Sequence, residues 1–280
     1  GMSVSEMGAG LQIIDFKCNK DSPSIEELMH DIKTPTLLKY GTKFWDSDTL
    51  RLIDSSLIRF CEAWGKPYGF IQEQDGAIVQ NLFPIKKNES EQISSSSLAT
   101  LEMHTETAFH PWRPQYVILL CVRGDKRAET TYAILDEILH DLNQETIDIL
   151  HQPIFTTTLD KSFQNSNQKD SIMKTAIFYN NGTSISYDRV LMNGLNKDAD
   201  HALKVLSSAI ESCKQTFVLS TGDVAIIENW KVVHGRTPFV PNYDGNDRWI
   251  KRVMVRRSMP HQHDIYQIPD KEHYIVKTTF

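Results

Sequence analysis

Long apolar runs are absent from this 280-residue chain, and none reaches the roughly 18 residues that a membrane span needs. The N-terminus also lacks the charged-then-apolar pattern of a secretory leader. Positive charge is scarce. Lys and Arg number 30 against 36 Asp and Glu, the net charge is −6, and no basic run exceeds three residues. A surface that tracks phosphates needs more, so nucleic acid is not an expected partner. Cysteine is sparse too. Cys18, Cys61, Cys121 and Cys213 stand far apart without a C-x-x-C pair. That usage points to reduced, mostly buried thiols in the cytoplasm, not to disulfides. Internal repeats and linker-like stretches are also missing, so residues 1–280 are expected to form one domain, with 1–10 frayed.

The patterning that is present belongs to a globular, mainly β protein with flanking helices. Residues 11–16, 77–83, 216–219, 223–228, 231–235 and 249–257 read as strands. The unbroken apolar run 116–122 reads as a strand buried on both faces. Helices are expected at 22–32, 46–64, 135–150 and 196–213. In 46–64, Leu50, Ile53, Leu57, Phe60, Cys61 and Trp64 share one stripe and Gly65 ends it. Residues 154–187 look like short strands with a hairpin signal at Asn180-Asn181-Gly182. The polar stretch 86–97 reads as a surface loop or as a mobile lid feeding the strand that follows, with Ser94 and Ser95 lining a pocket from the lid or, as the preferred reading, lying on the surface. Many short strands with helices outside them predict a double-sheet jelly roll, or double-stranded β-helix.

The chemistry concentrates in Leu98 to Pro114. This segment reads as a strand that carries His104 and Glu106 and then turns at two prolines. Residues i and i+2 of a strand share a face, so an imidazole and a carboxylate can reach one ion. A third ligand must come from afar, and His234, 130 residues on, is the candidate. In a rolled sheet the two histidine strands are expected to face one another across the interior. Two His and one carboxylate with open positions opposite form the facial triad of non-heme Fe(II) oxygenases. Beyond His234, Arg248 and Arg252 have the same strand parity and project together. Buried guanidiniums need anions, which implies small carboxylates as ligands. His261-x-His263 also has metal spacing but reads as a surface turn. His110 and the tryptophans Trp112, Trp230 and Trp249 read as packing, and Asp125 with Arg127 as a turn.

His104-Thr-Glu106-x-Ala-Phe-His-Pro and His234-Gly-Arg-Thr-Pro-Phe…Asp244-Gly-x-Asp-Arg248-Trp-x-x-Arg252 closely resemble the clavaminate synthase-like Fe(II)/2-oxoglutarate oxygenases. That family includes hydroxylases of free asparagine and arginine. The resemblance implies His104, Glu106 and His234 as iron ligands, with Arg248 and Thr131 on 2-oxoglutarate. It implies Arg252 on the substrate α-carboxylate, Asp188 on the polar end of the substrate, and Gln80 as a further substrate contact. Arginine-specific relatives carry a second acid two residues before the aspartate. Ser186 stands there, which argues against arginine. The implied reaction consumes O2, converts 2-oxoglutarate to succinate and CO2, and hydroxylates an unactivated carbon of a free amino acid. A taurine-type oxygenase acting on another small anion and a non-catalytic metal-binding barrel are the alternatives.

Overall fold

The computed structural model describes residues 4–6, 10–36, 47–164, 173–259, 265–267 and 274–277. In chain order the first strands are β1 (Val4–Glu6), β2 (Leu11–Asp15), β3 (Lys66–Phe70), β4 (Gln80–Leu82), β5 (Leu101–His104), β6 (Tyr116–Arg123), β7 (Thr130–Ile134), β8 (Phe155–Thr157) and β9 (Met173–Thr175). They are followed by β10 (Phe178–Tyr179), β11 (Ser184–Ile185), β12 (Met192–Gly194), β13 (Gln215–Phe217), β14 (Asp223–Glu228), β15 (Val232–Arg236), β16 (Trp249–Arg256), β17 (Ile265–Gln267) and β18 (Tyr274–Val276). The helices are α1 (Ile25–Leu28), α2 (Asp48–Cys61), α3 (Leu135–His140), α4 (Gln144–Leu150) and α5 (Lys197–Cys213).

The expected double-stranded β-helix is present. Its larger sheet runs β1-β2-β14-β6-β16-β3-β18-β17, with β4 pairing the first half of β16. The smaller runs β13-β7-β15-β5 and is antiparallel throughout. Alternation along β6 explains why its apolar run is unbroken. Val117, Leu119 and Cys121 join Tyr132, Ile134 and Val232 of the smaller sheet in the core between the sheets. Ile118, Leu120 and Val122 pack on the other face in the core shared with Ile53 and Leu57 of α2. The outer face of the smaller sheet, through Met103, Ala133 and Val233, is covered by a core containing Ile138, Ala199, Ala202 and Leu206. Helices on both outer faces leave only the space between the sheets for a ligand.

Several elements depart from expectation for local reasons. The helix expected at 22–32 is one turn, capped by Ser24 Oγ. It stops where the Arg123 guanidinium takes the Met29 and Ile32 carbonyls. Residues 135–150 divide because the Asn143 side chain accepts from Thr146 N and starts a new helix. Residues 4–6, expected to be frayed, pair with β2, while 1–3 and 7–9 lie outside the described residues. The stretch 86–97 is fastened at its C-terminal end. The Glu89 carbonyl accepts from Ser97, Leu98 and Ala99, and Arg236 donates to the Ser96 and Ala99 carbonyls. No helix among the described residues is long and apolar enough to cross a membrane. His261-x-His263 falls outside the described residues.

Candidate active site

His104 ends β5, and His234 lies in β15 directly opposite it in register, with ring centroids 4.5 Å apart. The two imidazoles are therefore cross-strand neighbours in one sheet, and the expected arrangement across the interior does not occur. Glu106 arrives differently from expectation as well. The strand stops at His104, and Thr107, with φ of 52°, belongs to a tight turn that brings the carboxylate back. Glu106 Oε2 lies 3.6 Å from His104 Nε2 and 3.5 Å from His234 Nε2. One ligand atom from each of the three lies within 4.8 Å of the others, the one such cluster among the described residues.

The supporting contacts suit a divalent metal. His104 Nδ1 lies 2.8 Å from the Glu102 carbonyl, which fixes the N–H there and leaves Nε2 with its lone pair. The buried Asn229 accepts from Glu106 N at 2.7 Å and donates to the Glu106 and Pro114 carbonyls at 3.0 and 2.8 Å. Burial alone would raise the Glu106 carboxyl. The Arg252 guanidinium and the two neighbouring imidazoles outweigh that and hold it well below the usual carboxylate range. Imidazole nitrogens and an ionised carboxylate are the donor set such a metal requires.

The triad opens into a cavity of about 460 Å³ lined by both sheets and by the 86–97 and 158–164 segments. Arg248, Ile250 and Arg252 all line it, as strand parity predicts. Arg248 makes no hydrogen bond or ion pair among the described residues. The acid that acts on it through charge, Asp125, is forked to Arg127 at 2.7 and 3.0 Å, in the turn the sequence suggested. Arg252 is different. Its Nη1 donates to Glu106 Oε1 and its Nη2 to Glu73 Oε2, each at 3.1 Å, and its Nε donates to Gln80 Oε1 at 2.8 Å. Gln80 does not line the cavity and touches the site only through Arg252.

Thr131 is turned away from the cavity. Its hydroxyl rests against the Met103 sulfur at 3.3 Å on the outer face of the smaller sheet. Alternation places Thr130, with Tyr132 and Ile134, on the inner face, and Thr130 is the lining residue. Asp188 lines the cavity and forms an isolated bridge with His104. Its Oδ1 accepts from Val190 and Leu191. Ser94 and Ser95, expected on the surface, also line it.

Two acids in the wall carried no sequence signal. Glu73 follows β3, and its carboxyl is pushed up to about 7 by burial, against Arg252 and with Glu106 adding repulsion. Asp160 is pushed up to about 8 by burial and by Asp188, Glu106 and Glu73. His110 is structural as expected. It is buried against Phe70 and Phe163, its Nδ1 accepts from Trp112 N, and burial pushes its ring down to about 3. None of Trp112, Trp230 and Trp249 lines the cavity.

A double-stranded β-helix with two imidazoles and a carboxylate between its sheets is the arrangement found in non-heme iron oxygenases. The chain belongs to the taurine catabolism dioxygenase TauD, TfdA family, whose model matches residues 48–254. It is 35% identical over 193 residues to the L-asparagine oxygenase of Streptomyces coelicolor, covering 68% of this chain and 58% of that one. It is 31% identical over 224 residues to the L-ornithine/L-arginine 3-hydroxylase of Catenulispora acidiphila, covering 70% and 65%. The chain thus spans less than two thirds of either relative. Among solved structures, it matches asparagine oxygenase in complex with Fe(II), 2S,3S-3-hydroxyasparagine and succinate at a TM-score of 0.77. The two are 28% identical over 96% of this chain and 80% of that one. The non-heme iron oxygenase OrfP in complex with Fe, succinate and (3S)-hydroxy-L-Arg matches at 0.79, with 26% identity over 94% and 81%.

Proposed function

We propose that this chain is an Fe(II)/2-oxoglutarate-dependent dioxygenase that hydroxylates an unactivated carbon of a free L-amino acid or a close derivative. The observation that carries the reading is a half-buried Arg248, without a hydrogen bond or ion pair among the described residues, in the same cavity wall as the His104, Glu106 and His234 cluster. A metal held only for structure needs no such cation. A co-substrate with a free carboxylate does, because a guanidinium stripped of water is costly without an anion. His104, Glu106 and His234 hold the iron, and Arg248 with Thr130 receives the distal carboxylate of 2-oxoglutarate. Iron, 2-oxoglutarate and O2, when bound, supply the oxidation that breaks the C–H bond and release succinate and CO2.

The protein's share is orientation and exclusion of water. A volume of about 460 Å³ lies within the usual range for small-molecule sites. Asp160 and Asp188 line it without an ion pair to Lys or Arg among the described residues. This pairing favours a side chain that brings positive charge or amide N–H donors, and it disfavours the anionic head group of a taurine-type substrate. Ser186 donates to the Ala108 carbonyl at 2.8 Å, away from the cavity. Asp160, from another segment, therefore supplies the second acid that the position of Ser186 lacks. A substrate carboxylate that approaches Arg252 competes there with Glu106 and Glu73. Residues 1–280 are read as one domain. Four free cysteines suit the cytoplasm, and a net charge of −6 suits small molecules over nucleic acid.

The test is succinate release from 2-oxoglutarate with Fe(II), O2 and a panel of L-amino acids. Arginine, ornithine, lysine and asparagine are expected to stimulate release above the level with taurine. His104→Ala abolishes turnover. Equal turnover by His104→Ala and wild type would refute the reading.

A further inference from the structure

The two oxygens of Glu106 are divided between different tasks. Oε2 faces the two imidazole Nε2 atoms at 3.6 and 3.5 Å, while Oε1 accepts from Arg252 Nη1 at 3.1 Å. Arg252 is only 6% exposed and is held on its other edges by Gln80 Oε1 and Glu73 Oε2. Glu73 in turn opens a turn in which Gln74 and Asp75 have φ of 45° and 55°. Such conformations persist only where the surroundings impose them. Here the Gln74 side chain imposes them by bonding both the N–H and the carbonyl of Asn81. A chain of contacts thus runs from the turn through Glu73 and Arg252 to the carboxylate beside the imidazoles.

We propose that Arg252 is a positioning residue for Glu106: it occupies Oε1, so that Glu106 offers a metal a single oxygen. A carboxylate free to rotate can offer both oxygens to an ion and take up a position that a co-substrate needs. Arg252 also separates Glu73 from Glu106, two acids that would repel in a dry wall. The inference rests on the triad being the metal site, and it requires neither 2-oxoglutarate nor an amino acid.

The experiment therefore uses the full chain with Co(II) alone, following affinity by calorimetry and the visible absorption of the bound ion, which reports coordination number and geometry. Arg252→Met is expected to bind Co(II) on the order of 10–100-fold more weakly than wild type, the usual effect of removing a partner of a metal ligand, with an altered visible spectrum. Arg252→Lys keeps the charge but replaces a planar fork with a point donor. It is expected to fall between the two. If only the Lys variant folds, wild-type affinity and spectrum in that variant overturn the proposal. Where Arg252→Met folds, the same result in it does so. Failure of wild type to bind Co(II) would sink the metal reading and this inference with it, an outcome distinct from an indifferent Arg252.

Discussion

One residue of offset separates a cavity-lining threonine from a packing residue in β7. Thr130 faces the cavity, and Thr131 faces Met103. Thr130→Val is expected to raise the KM for 2-oxoglutarate roughly tenfold, the cost of a hydrogen bond to a charged group. Thr131→Val is expected to leave that KM unchanged, and steady-state kinetics on both variants decides between the two threonines. The triad and Arg248 were legible from the sequence because each has a residue type that a buried wall tolerates only for a reason. Thr131 was expected to face the co-substrate and instead faces Met103, because residue spacing within a motif does not define which way a strand starts its alternation. Glu73 and Asp160 were invisible. Both lie in irregular segments, where neither period nor motif marks an inward-facing carboxyl.

At the scale of elements, the site depends on how closely β5 approaches β15. Gly235 follows His234, and the pairing register shifts between His234 and Arg236. A Cβ at Gly235 would collide with the Leu101 carbonyl oxygen and come within 3.0 Å of Thr131 Oγ1. Both neighbours are fixed by the sheet, so neither can yield cheaply. Gly235→Ala is therefore expected to cost about 1–3 kcal/mol by urea unfolding, as overpacking does, and to weaken Co(II) binding by moving His104 away from His234. Loss of stability with wild-type metal affinity would show that the two strands move together. The long helices at 48–61 and 197–213 were legible because their apolar stripes are several turns long. Helix α1 and the break in 135–150 were not, because one arginine and one asparagine decide them through contacts that no periodicity announces.

At the scale of the molecule, the architecture followed from counting short strands and long helices, but the relation between the histidines did not. A separation of 130 residues suggests opposite walls, whereas the roll brings β5 and β15 side by side. Pairing order is a long-range property, and alternation constrains the face of each strand without naming its neighbour. The same order sets the site between layers. β16 contributes Arg252 from the larger sheet, with Arg248 immediately before it, and the smaller sheet contributes both imidazoles.

Among the described strands, β5 lies at the rim of its sheet and pairs only with β15. A cation gripped by His104 and His234 would rivet that outermost seam, so loading the ion should alter local unzipping as well as reactivity. With free Co(II) at about 100 times its Kd, amide hydrogens of 101–104 are expected to exchange up to roughly a hundredfold more slowly, the limit set by binding linkage of about 2.7 kcal/mol. A chelator should restore the faster rate. Unchanged exchange at the rim, with the ion demonstrably bound, would mean that the seam stays shut without it.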